Sequence, residues 1–283
     1  MSYETIKSEV ADKVATITLN RPNNMNSFNP LMCDELLDAF NKADENDNVR
    51  VVIVTGAGKA FCAGSDLSGD PFDYSKTNIF AHRDTGGQVS LRIYDMKKPV
   101  IGAINGAAVG VGITMTLPMD IRVISEKAKI GFVFASRGII NEGCSGWFLP
   151  RLVGAGKAVE WVATGRIISG AEVLDSGLAT YMVPPEEVYA KALVIAHEIV
   201  NNTAPVSVAM ARQLMWKMLG ESHPMASHKL ESMTLQWIGT SPDALEGVKS
   251  FLEKRPPNYS MKPSKEMPPY YPWWDAKGFP KML

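Results

Sequence analysis

Apolar residues along this chain keep two rhythms. Val14 to Leu19 is a β-branched, alternating run and predicts a strand. "RVVIVTG" (50–56) is continuous and apolar, which predicts a strand buried on both faces. Between them, "NRPNNMNSF" is turn-rich, and Asn29 with Pro30 predicts the cap and first residue of a helix. Its apolar stripe is Met32, Cys33, Leu36, Leu37 and Phe40. "KAFCAGSDL" is a short apolar run broken by Gly64, and residues 70–96 are polar until a helix near 87–96. "KPVIGAINGAAVGVGITMTLPMDIRVIS" predicts a strand (99–105), a Gly-rich loop, a short helix (110–117) and a strand (120–125). A further strand is predicted over 128–134, then short helices in "SGWFLPRLVG" and "GKAVEWVATG". Ser169 and Glu172 have capping-box spacing.

After Pro184 and Pro185 the pattern turns helical: 186–202, 204–219, 224–239 and 242–254, the last capped at Ser241. An α/β core followed by an all-helical part is the implied architecture. The tail from about 258 is rich in Pro and aromatics, which predicts an extended path. Tyr270, Tyr271, Trp273 and Trp274 need burial, so the tail is expected to pack on the body or on a neighbouring subunit.

Composition narrows the function. The 283 residues carry a formal net charge of −1, which gives no footing for nucleic acid or an anionic membrane. The longest apolar run contains Gly and Pro118 and is too short to span a bilayer. "MSYETIKSEV" lacks the apolar core of a signal peptide. Cys33, Cys62 and Cys144 form no CxxC pair, as expected of free thiols in a reducing cytoplasm. Neither "TGAGKAF" nor "VGAGKAV" completes a phosphate-binding loop of the NTPase kind. Met115 stands where a dinucleotide fingerprint needs its third glycine. There is no HExxH, no GxSxG and no acidic cluster for a metal.

Two glycine loops and one acid remain. Ala63-Gly64-Ser65 and Gly110-Val111-Gly112 each expose main-chain N–H groups beside a strand end, and such donors either make an oxyanion hole or merely allow tight turns. Glu142 is the single charge in "GIINEGCSGWFLP". It is either a solvated turn residue before a helix capped at Ser145, or a base whose pKa apolar neighbours raise. Ile139, Ile140, Trp147, Phe148 and Phe134 are the neighbours available for that.

"ITLNRPNNMNSF", "KAFCAGSDL", "KPVIGAINGAAVGVGITMTLPMDIRV", "RGIINEGCSGWFLPRLVG" and "GAEVLDSGLA" resemble, in order and spacing, the crotonase (enoyl-CoA hydratase/isomerase) superfamily over most of 3–255. The resemblance implies a spiral of ββα turns with two roughly perpendicular sheets over 1–200. It also implies a C-terminal helical trimerisation region over 201–255, with the 256–283 tail outside the common pattern. A homotrimer or a pair of trimers is implied, with acyl-CoA as substrate and no cofactor or metal. The thioester oxygen would be held by the N–H groups of Ser65 and Val111. Coenzyme A would lie over Lys59, Ala63, Asp66, Leu67 and Arg21. Lys59 and Arg21 are equally readable as solvated cations, and Asp66 as a structural acid. His82, Arg83 and Cys144 are possible pocket residues, and Trp147 and Trp161 would influence pocket size.

The two glutamates of ordinary enoyl-CoA hydratases fall on Thr114 and Phe134. Glu142 instead resembles the single acid of the double-bond-shifting isomerases of the superfamily, which carry a similar Glu-Gly followed by small residues. The resemblance therefore favours an isomerase. A hydratase or hydratase-lyase using one acid and a positioned water, a thioester hydrolase, a ring-opening enzyme and a non-catalytic acyl-CoA binder stay open.

Overall fold

The computed structural model describes residues 3–68, 75, 78–275 and 278. Among these residues, strands form two sheets. The larger begins with a hairpin of β1 (Ile6–Ala11) and β2 (Val14–Leu19), whose turn residues Asp12 and Lys13 have φ of 47° and 65°. The chain then alternates between sheets. β3 (Val51–Gly56) lies in the large sheet and β4 (Ala60–Cys62) in the small one. β5 (Val100–Ile104) and β6 (Ala107–Val109) repeat that step, as do β7 (Ile121–Ser125) and β8 (Lys129–Gly131). β9 (Ile167–Ser169) joins the small sheet antiparallel to β8, and β10 (Tyr181–Val183) closes the large one parallel to β7. The large sheet has the order β1-β2-β3-β5-β7-β10, and the small one β4-β6-β8-β9.

Helices separate these strand pairs. α1 (Pro30–Glu45) precedes β3, and α2 (Thr85–Asp95) precedes β5. α3 (Val111–Thr114) precedes β7. α4 (Ser145–Val153), α5 (Ala155–Thr164) and α6 (Gly170–Asp175) follow β8. The C-terminal helices are α7 (Val188–Asn202), α8 (Pro205–Met218), α9 (Met225–Ile238) and α10 (Pro242–Leu252). Asn29 caps α1 as expected, its side chain accepting from the Met32 N–H at 2.9 Å. The Ser169 and Ser241 caps also form, accepting from Glu172 and Ala244 N–H.

The unbroken apolar run of β3 has a direct cause. Val52 and Val54 face the main core with Phe40, Phe61 and Ile113. Val51 and Ile53 face the opposite side, where Val188, Ala192, Ile195 and Ala196 of α7 cover the sheet. A strand sandwiched in this way has no solvent face to give it polar alternation. α8 is bound to the body by Arg212, which donates to Asp120 Oδ2 and to the Ile93 carbonyl, both at 2.8 Å. Tyr270 and Tyr271 of the tail pack with Val206, Met210, Trp237 and Met261, so the aromatic tail is half-buried against its own chain.

Some expected bounds shift. The 110–117 helix is only Val111–Thr114, and the 128–134 strand stops at Gly131. A 3-10 turn starts directly after Phe134. The helix expected near 87–96 begins at Thr85 because Asp84 caps it. β1, β9 and β10 had no expectation, and β6 lies where a Gly-rich loop was expected. The expected loop over 70–74, 76 and 77 and the last tail residues, 276, 277 and 279–283, lie outside the described residues.

Candidate active site

The two glycine loops meet. Phe28 pairs in parallel with Ser65, its N–H donating to Gly64 O at 2.8 Å and its carbonyl accepting from Asp66 N–H at 2.7 Å. In that pattern the N–H of the intervening residue, Ser65, points away from Phe28. Gly64 has φ of +109°, open to glycine alone, and it lies against Val109 O, 3.2 Å from where a Cβ would stand. Gly112 presses closer still, since a Cβ there would be 2.1 Å from Cys62 O. Strand β4 and the N-terminus of α3 are therefore in backbone contact. The Ser65 and Val111 N–H groups have no main-chain acceptor among the described hydrogen bonds.

Glu142 faces the same place. Its Oε1 accepts from the Thr114 hydroxyl at 2.5 Å, which ties it to the end of α3. Its Oε2 is sealed from solvent and finds no hydrogen-bond partner. A Cβ on Gly86 would lie 1.9 Å from Oε2 and 2.9 Å from Val111 Cγ2, so carboxylate and α3 share the space above that glycine. Burial pushes the Glu142 carboxyl up to about 8. The negative charge of Asp84 adds to the rise, and the Thr114 bond opposes it.

Asp84 had no place in the sequence reading. It accepts from Gly86 and Gly87 N–H at 3.0 and 2.8 Å, and from Gly143 N–H at 2.8 Å. The only sequence signal was a polar residue before Thr85-Gly86-Gly87, which marks a helix start and nothing more.

Other expectations divide. Phe134 is buried over Gly110, 3.9 Å from where its Cβ would stand. Phe148 is buried, and Trp147 packs edge-on to Tyr94 at 5.6 Å with Arg151 over its ring. Ile140 is 83% exposed and supplies no apolar wall for the acid. Trp161 is a core residue stacked on Phe132, with its N–H on Glu172, and is no pocket determinant. The helix near Glu142 is capped at Cys144 rather than Ser145. Cys144 is half-buried and its thiol is pushed up by burial, while His82 is half-buried and Arg83 exposed. Arg21 donates to Asp66 Oδ2 at 2.7 Å and to Ser27 O at 2.6 Å, so these two charges are spent on each other and on the loop. The Ser68 hydroxyl and Arg21 hold the Asp66 carboxyl down to about 2. Lys59, Ala63 and Leu67 are exposed along the same loop.

Two spiralled sheets with a buried carboxylate at the meeting of two glycine loops are the features of the crotonase fold. The chain belongs to the enoyl-CoA hydratase/isomerase family, whose model matches residues 9–262. It is 41% identical over 250 residues to "Enoyl-CoA hydratase ACTT3" of Alternaria alternata, covering 88% of this chain and 83% of that one. It is 31% identical over 263 residues to "1,2-epoxyphenylacetyl-CoA isomerase" of Escherichia coli, covering 92% and 99%. A probable enoyl-CoA hydratase/isomerase from Mycobacterium abscessus superposes with TM-score 0.82 at 33% identity, covering 91% of this chain and 99% of that one. Hydratase names predominate among the matching relatives. The expected acyl-CoA enzyme class stands at this family level. Among the described residues no helix is long and apolar enough to cross a membrane.

Proposed function

We propose that this enzyme shifts the double bond of a 3-enoyl-CoA to the 2-position, with Glu142 as the only acid–base group. Glu142 removes a proton from C2 of the acyl chain. The electron pair moves through the former double bond, and the dienolate oxygen rests on the N–H groups of Ser65 and Val111. The same carboxyl then delivers its proton to C4. Protons alone move, so the step asks for no resident metal or redox group, and coenzyme A belongs to the substrate. The observation that carries this reading is the Glu142 carboxyl itself. One of its oxygens is fixed by Thr114, while the other is sealed, unpartnered and beside Val111. A base for an α-proton needs a pKa near neutrality, and burial supplies it. Each oxyanion donor is worth roughly 3–4 kcal/mol of transition-state stabilisation.

Around that chemistry, Lys59, Ala63 and Leu67 offer an exposed rim for coenzyme A. Arg21 and Asp66 shape the loop through their ion pair. The names of the matching relatives support a second reading, addition of water to a 2-enoyl-CoA with Glu142 activating that water. Against it, Thr114 and Phe134 occupy the places of the paired hydratase glutamates, and neither titrates.

The test offers purified enzyme a 3-enoyl-CoA, and separately a 2-enoyl-CoA in water, with product analysis. Turnover of the first substrate with a loss of roughly 10²–10⁴-fold in kcat for Glu142→Gln is expected. Because the base works only deprotonated, kcat/KM should rise with pH and reach half its plateau near pH 8. Exclusive hydration, or full turnover by the Gln variant, overturns the proposal.

A further inference from the structure

We propose that Asp84 is a positioning residue for the reaction, holding Glu142 in place and keeping it a strong base. The inference rests on the reading of Glu142 as the base. The geometry begins with three N–H groups converging on one side chain. Two of them, Gly86 and Gly87, are the first turn of α2, and the third is Gly143, the residue that follows Glu142. Asp84 thus ties the start of one helix to the loop that carries the acid. Gly86, which it holds, is the residue whose missing side chain leaves room for Oε2. Gly143 has φ of +65° and packs on Thr114, so its peptide is fixed from both sides.

The chemistry follows from the charge. Asp84 is half-buried and Glu142 more deeply enclosed, and two neighbouring carboxylates repel, which favours the proton-bearing form of the more buried one. Asp84 therefore stabilises the state that Glu142 reaches after taking the substrate proton. The other groups facing Glu142 are the Thr114 hydroxyl of α3 and the thiols of Cys62 on β4 and Cys144 on its own loop. Both thiols are pushed up by burial, so they stay neutral. His82 and Arg83 precede Asp84 on its own segment.

The experiment records pH–rate profiles on a 3-enoyl-CoA for the parent, Asp84→Asn, Asp84→Ser and Glu142→Gln. Serine keeps a helix cap while removing the charge and the reach to Gly143. Both Asp84 variants should lower kcat at least about tenfold with little change in KM. Both should also move the acid limb of kcat/KM down by at least about half a pH unit. An inactive Glu142→Gln variant alongside unmoved limbs for Asn and Ser overturns the role of Asp84 and leaves Glu142 as the base. A fully active Glu142→Gln variant overturns the reading of the base itself. Should neither Asp84 variant fold, carboxyl ¹³C and amide proton NMR of the unmodified enzyme decides. The Gly87 amide proton, which donates to Asp84, is expected to shift as the Glu142 carboxyl signal titrates, and an amide that stays still through that titration overturns the proposal.

Discussion

Glu142 is held at a cost to the fold. Unfolded, a glutamate titrates near about 4.3, whereas burial raises this one to about 8. Between those values the folded chain binds more protons than the unfolded one. Stability therefore falls as pH rises through that window. Glu142→Gln keeps an oxygen for the Thr114 hydroxyl but removes the titration. It should melt higher than the parent at pH 8, by on the order of a few degrees, with no gap at pH 4. Thermal melts at the two pH values check this, and a gap of equal size at both would show that titration is not its source. The sequence already singled out this acid, because a lone charge in an apolar stretch is visible without coordinates. Asp84 stayed hidden, since its third partner, Gly143, lies far along the chain and spacing says nothing of such contacts. Arg21 and Asp66 were each readable either as coenzyme A contacts or as a solvated cation and a structural acid, because spacing does not show that the fold pairs them.

At the scale of elements, the site depends on α3 lying directly on β4. Gly112 permits this, because any side chain there would meet the Cys62 carbonyl and its Cβ, both within 3.0 Å. Neither atom is the free end of a flexible side chain, so the contact cannot be relieved by rotation. Gly112→Ala should push α3 away from the Ser65 loop. A stability loss of about 1–3 kcal/mol is expected from overpacking, together with a kcat loss larger than the loss of folded protein explains. Denaturant melts beside active-site-normalised kinetics measure both, and an alanine variant with parental kcat would separate the loop spacing from catalysis. The long elements were legible because β3 and α1 repeat their patterns over many residues. The short strands β9 and β10 were not. Three residues cannot show a period, and Ile167–Ser169 becomes a strand only by pairing with Lys129–Gly131. β8 ends early because Phe134, counted as strand by its apolar character, turns inward over Gly110.

For the whole molecule, the open question of surface is α10. Leu245, Val248 and Leu252 recur at helical spacing and are 63%, 63% and 72% exposed, with Phe251 beside them at 82%. The helix is fixed from its other side, where Asp243 accepts from the Ser260 and Met261 N–H groups and Arg255 holds Glu246. A rigid helix with an apolar outer face loses free energy to water at about 25 cal/mol per Å² until something covers it. The assembly implied by the family resemblance, a homotrimer or a pair of trimers, would do so with second copies of this chain, and the aromatic tail does not compete because it is folded onto α8 and α9. Phe251→Lys places a charge at the most exposed of these positions. If α10 forms the seam, light scattering should find the parent at a multiple of three chains and the variant at a smaller mass, with unchanged circular dichroism. A variant that keeps the mass of an assembled parent would move the seam to another surface and leave the apolar face of α10 to some other partner.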